Sequence, residues 1–113
     1  MVARFRSGSA GQGAAFEAEL MRLSSLAEEM ALIAKGVPVE ELARHAPLLD
    51  RWAEAARPAP CLVGFSSGHP VLPGEGRAIA TSDLVLISDD LEWARTRSLW
   101  YRLGRPAGRG RDA

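Results

Sequence analysis

The chain has 113 residues, 14 basic and 14 acidic side chains, zero formal net charge and one cysteine. That length suits one ordinary domain with a core that forms without staples, and the even charge balance argues against nucleic-acid binding through bulk basicity. The lone Cys61 excludes an internal disulfide and points to a reducing, cytoplasmic setting, while no run approaches the ~18 apolar residues of a membrane helix, so a soluble protein away from the membrane is expected.

Residues 1–13 hold three glycines, two serines and two arginines with no apolar h-region, and are expected to be a disordered leader rather than a signal segment. From Ala14 the pattern changes. Phe16, Leu20, Leu23, Ala27, Met30 and Ala34 recur every three or four residues with charged residues mostly between them, which predicts an amphipathic helix over 14–35. Gly36 is placed to end it in a left-handed C-terminal turn, and Pro38 blocks continuation. Met21, Leu26, Leu32 and Ile33 lie off the main stripe, so this helix is expected to be covered on two sides or to meet a partner.

Pro38 suits the start of a second short helix to His45, with Glu40 and Glu41 in its first turn. Pro47 is read as opening a third, to about Ala56, burying Leu48, Leu49 and Trp52. Arg57-Pro-Ala-Pro60 ends helical structure, because each proline drives the preceding residue towards extended backbone.

After Pro60 the apolar period falls from 3.6 to 2. Cys61, Val63 and Phe65 alternate with Leu62, Gly64 and Ser66 as a first strand, and residues 68–76 are turn chemistry. A second run, Arg77 to Ser88, changes its inward parity near Ser82-Asp83, where a bulge is expected. The third, Trp93 to Leu103, is long for one strand and is expected to fold at Arg97-Ser98. The predicted fold is α+β: helices over 14–57 packed on a three- to four-stranded antiparallel meander over 61–104, the sheet curling towards a small SH3-like or OB-like barrel, with a disordered tail over 105–113.

Gly64, Gly68-His69-Pro70, Gly76, Ile79, Thr81-Ser82, Trp93-Ala-Arg-Thr96, Ser98 and Trp100-Tyr-Arg-Leu-Gly104, together with Ala46-Pro47-Leu48-Leu49, cover about residues 45–106. In these pieces the chain resembles the C-terminal module of a family of small uncharacterised bacterial proteins, a domain of unknown function. The resemblance implies a compact bacterial cytoplasmic protein and carries no activity, cofactor or site.

Candidate chemistry is sparse. Gly64-Phe-Ser66-Ser-Gly68 has the G-x-S-x-G form of a nucleophile elbow, but a glycine-rich turn follows where that elbow needs a helix, and no histidine lies downstream of His69. Cys61, His45 and His69 match no zinc spacing, so no metal, cofactor or small-molecule substrate is inferred, and Cys61 is expected to be simply buried. Gly74-Glu-Gly76-Arg77 reads as a hairpin turn rather than an anion nest. No catalytic acid–base pair is visible, so a non-enzymatic module is expected.

The remaining candidates are Trp93, Arg95, Arg97, Trp100, Tyr101 and Arg102, with His69. Residues 92–113 carry six arginines against two acids, although arginine outnumbers lysine thirteen to one along the whole chain. An unbroken strand would put an aromatic ring and an arginine on both of its sides, and those rings serve either a small core or a partner surface. The leading expectation is a protein that binds another protein, or itself, through the first helix or this strand. The alternative is a single-stranded nucleic-acid binder using Arg95, Arg97, Arg102, Arg105, Arg109 and Arg111 beside the aromatic rings.

Overall fold

The structure is a computed structural model that describes residues 2–108. Its elements run β1 (Ala3–Phe5), α1 (Ala14–Ala34), α2 (Val39–Leu42), β2 (Val63–Ser66), β3 (Arg77–Ala80), β4 (Leu84–Ser88), β5 (Trp93–Thr96) and β6 (Trp100–Arg102). The class is α+β, as the change of apolar period indicates. The chain divides into two compact units, Gly13–Arg57 and the combination of Met1–Gln12 with Pro58–Ala113.

In the helical unit, α1 ends where Gly36 was expected to end it. Gly36 takes φ 92, its N–H donates to the Ile33 carbonyl at 2.9 Å, and the Val37 N–H donates to the Leu32 carbonyl at 3.1 Å. These are the two bonds of a Schellman turn, which satisfy carbonyls the helix would otherwise leave open. α2 is shorter than predicted, four residues instead of a helix to His45, with Pro38 as its cap. The third predicted helix does not form. Residues 47–60 have no regular structure, and Leu48, Leu49 and Trp52 are 90%, 76% and 70% exposed instead of buried. A helix of some ten residues needs its apolar side covered to hold, and Arg51 at φ 52 breaks the helical path midway.

The β unit holds two sheets. The four-stranded one has the order β1-β4-β5-β6, and β2 pairs with β3 alone. β4, β5 and β6 form the antiparallel meander, but β1 adds to its edge in parallel, Ala3 opposite Leu86 and Phe5 opposite Ser88. The expected disordered leader is thereby corrected for residues 3–5. Its signal was a period of two, Ala3 and Phe5 between Arg4 and Arg6, beneath a glycine content read as disorder. Those glycines make turns instead: Gly8 and Gly11 take φ 79 and 80, and the Gln12 side chain clasps the loop, accepting from the Arg6 N–H at 2.8 Å and donating to the Arg6 and Ser9 carbonyls at 3.0 Å. The expected tail falls mostly outside the described residues.

The second predicted strand is two strands in two sheets. The chain leaves β3 at Ala80 and enters β4 at Leu84, and the β4–β5 register slips between Leu84 and Leu86, so the irregularity lies just after the predicted Ser82-Asp83. Few side chains are buried among the described residues: Ala3, Ala94, Ser88 and Thr96. Cys61, expected inside, is exposed.

Candidate interaction face

Two buried hydroxyls set the geometry of the β4–β5–β6 turns. At the β4–β5 turn, Ser88 Oγ donates to Asp90 Oδ1 at 2.6 Å and accepts from the Trp93 N–H at 3.0 Å and the Glu92 N–H at 3.2 Å. The Asp90 carboxylate also accepts from the Glu92 N–H at 3.0 Å, and these bonds, Ser88 first, hold its pKa below the ordinary aspartate value near 3.8. At the β5–β6 turn, Thr96 Oγ1 accepts from the Ser98 and Leu99 N–H groups at 3.2 Å and from Ser82 Oγ at 3.0 Å. A buried hydroxyl satisfied on several sides fixes a turn more tightly than propensity alone, because each bond would be lost to a dry interior if the turn opened.

The second turn decides where the rings go. An antiparallel hairpin pairs Trp93 with Arg102 and Arg95 with Trp100, so odd positions of β5 share a face with even positions of β6. Both tryptophans and two arginines therefore lie on one side, contrary to the distribution expected of an unbroken strand. Tyr101, opposite Ala94, lies on the other. Phe5 reaches the tryptophan side from β1, meeting the Trp100 ring edge-on with centroids 5.9 Å apart and planes at 78°. In a flat sheet β1 and β6 would run about 14 Å apart, three strand spacings, so the contact reflects a curled sheet with rings leaning inward. That curl is the described counterpart of the expected barrel: the strand order leaves β1 and β6 as unpaired edges.

Phe5, Ser7, Trp93 and Trp100 line an open cleft of about 240 Å³. Trp100 is 53% exposed and Trp93 37% exposed, so neither ring completes a core. The Arg102 guanidinium sits 5.6 Å from the Trp93 ring centroid, a cation–π distance, and Arg95, opposite Trp100, is half-buried. Neither arginine forms an ion pair with a described residue.

His69 has a different place. Its Nδ1 accepts from the Val71 and Leu72 N–H groups at 3.0 Å each, and its Nε2 is 3.0 Å from the Tyr101 hydroxyl. With Nδ1 accepting, the neutral ring carries its proton on Nε2 and donates it to Tyr101. His69 and Tyr101 thus pin the 69–72 turn onto the face opposite the tryptophans. Arg97 lies in the β5–β6 turn, outside both strands, and its N–H donates to the Asp83 carbonyl at 2.9 Å. Of the seven candidates, then, four share the open face, two bind each other behind it, and one stands in a turn. Arg109 and Arg111 lie outside the described residues.

Phe5, Ser7 and Ser88 were not singled out from the sequence, and Thr96 entered only as part of the family resemblance. Phe5 was legible in the Ala3–Phe5 alternation. The two hydroxyls had no signal, since serine and threonine at a turn look alike whether exposed or buried. Ser66 of the G-x-S-x-G segment ends β2 and leads into a turn, and no group of three His, Cys, Asp or Glu among the described residues is placed to hold a metal. No helix among them is long and apolar enough to cross a membrane.

A family model described as a family of unknown function, DUF6634, matches residues 13–109, which takes in α1 and the β5–β6 hairpin and leaves Phe5 and Ser7 outside. No curated protein and no solved structure matches.

Proposed function

Because the chain belongs to the family of unknown function DUF6634, which brings no activity with it, we propose its role from the site alone: a small non-enzymatic interaction module that binds another protein through the tryptophan face of its four-stranded sheet. One observation carries this reading. The β5–β6 register gathers Trp93, Arg95, Trp100 and Arg102 on one side, beside a cleft whose walls are three aromatic rings. Exposed Trp and Arg are the residue types that dominate binding hot spots, since they bring large apolar area and several donors at modest entropy cost. The partner segment is read as one with an apolar or proline side chain for the cleft and carboxylates for Arg95 and Arg102, whose guanidinium forks lack an ion-pair partner among the described residues. The single cysteine supports a cytoplasmic setting, and the resemblance noted above supports a bacterial one.

A second reading has one observation in its favour. Aromatic rings and arginines on a sheet face also form a stacking platform for single-stranded nucleic acid. Selection of peptides from a random display library, followed by titration with single-stranded oligonucleotides, separates the two. The protein reading expects acidic peptides with an aromatic residue or proline, whose binding falls at least tenfold on Trp100→Ala and is untouched by Trp52→Ala. Micromolar binding to unrelated oligonucleotides at physiological salt, with a log–log salt slope of about −0.7 per phosphate contact, would instead establish the second.

A further inference from the structure

The helical unit leaves a second surface open. α1 has no buried residue, although Leu20, Leu23, Leu26, Met30 and Ile33 all lie along it. Phe16, Leu20, Leu23, Ala27, Met30 and Ala34 are spaced 4, 3, 4, 3 and 4 residues apart, which is the a/d spacing of a coiled coil held over almost three heptads. The seam is bulky throughout its first half, Phe16, Leu20 and Leu23, and holds both of its alanines in the second, and that asymmetry discriminates between arrangements.

From this pattern we infer that α1 pairs with α1 of a second copy of the chain in an antiparallel coiled coil. Antiparallel alignment centred on residue 25 stacks Phe16 on the partner's Ala34, Leu20 on the partner's Met30 and Leu23 on the partner's Ala27. Every layer then contains a bulky side chain, and the two Leu26 residues flank the two-fold axis. Parallel alignment stacks Ala27 on its copy and Ala34 on its copy, leaving layers too thin for close packing beside layers of paired Phe or Leu. Charge favours the same choice. Antiparallel helices oppose their dipoles and bring the partner's C-cap Lys35 towards the acidic first turn that holds Glu17, whereas parallel helices set Glu17 and Glu19 beside their own copies.

The length of the seam sets the strength. Twenty-one residues span about 31 Å, and a helix pair of that length buries on the order of 1,000 Å², the lower bound for a specific interface. Dissociation constants of roughly 1 to 100 μM are expected, a range in which concentration changes the state of assembly.

Sedimentation equilibrium of the full chain between low micromolar and several hundred micromolar reads the association directly, and cysteine placement reads its direction. In a Cys61→Ser background, Phe16→Cys combined with Ala34→Cys should couple two chains through a short bismaleimide, while Phe16→Cys alone should not, because antiparallel helices hold the two Phe16 positions about 27 Å apart. Leu20→Glu should weaken dimerisation at least tenfold while the helical circular dichroism of the monomer persists. A chain that stays monomeric at several hundred micromolar overturns the inference. So does efficient coupling of the Phe16→Cys single variant, which would mean parallel helices; the double-cysteine result stands even if Leu20→Glu fails to fold.

Discussion

The β4–β5–β6 meander and α1 expose apolar side chains in opposite ways. In the meander the buried positions are small, Ala94, Ser88 and Thr96, and the large rings stand outside as one cluster held by turns whose hydroxyls are fully engaged. In α1 nothing is buried and the apolar residues run its whole length. A surface of the first kind is preorganised, so little ordering remains to oppose binding; one of the second kind presents a continuous seam and selects its partner by layer fit. The two regions therefore respond differently to substitution.

The largest expected effect tests whether the hydroxyls hold the meander. Thr96→Val keeps the shape but leaves the Ser98 and Leu99 amides without their acceptor and Ser82 Oγ with Ser98 Oγ alone, and should destabilise the β unit by about 1 to 3 kcal/mol, read as a lower denaturant midpoint. An unchanged midpoint would mean that the turn stands on backbone bonds alone. Next comes the cluster itself: Trp100→Ala should cost about 2 kcal/mol of partner affinity and under 0.5 kcal/mol of stability, since a half-exposed ring contributes more to an interface than to folding. Equal losses in both would make Trp100 a core residue and erase the contrast.

Smaller effects sharpen the α1 side. Gly36→Ala forces a side chain into φ 92 and should lower stability by about 1 kcal/mol, because the Schellman turn depends on that left-handed residue. Leu26→Gln should change the melting of the monomeric chain hardly at all, within about 0.5 kcal/mol, as for an exposed site. A multi-kcal loss at low protein concentration would place Leu26 in a core. The smallest effect is in pH. Asp90 has a lower pKa folded than unfolded, so its stabilising contribution is present above the ordinary value near 3.8 and is lost as pH falls through its folded value. Asp90→Asn should flatten that acid limb by removing the contribution above it, so stability falls slightly at neutral pH and hardly changes below the folded value.

Local chemistry was enough to read α1 from Ala14, its end at Gly36, the change to strands after Pro60 and the fold at Arg97-Ser98, because periodicity, a left-handed glycine and a strand too long for one pass act over a few residues. The candidate site was half legible for the same reason: the residue types of Trp93, Arg95, Trp100 and Arg102 stood out, but their shared side did not. Which face a strand residue occupies depends on the pairing register, and a hairpin that joins odd to even positions exists only once Trp93 lies opposite Arg102. Phe5 enters the cleft through a parallel pairing of residues 3–5 with residues 86–88, more than eighty positions away, and no local pattern encodes a partner at that distance. The failed helix over 47–56 is the converse case. Its apolar spacing was helical, but a short helix depends on whatever covers it, and coverage is decided by tertiary structure rather than by the segment.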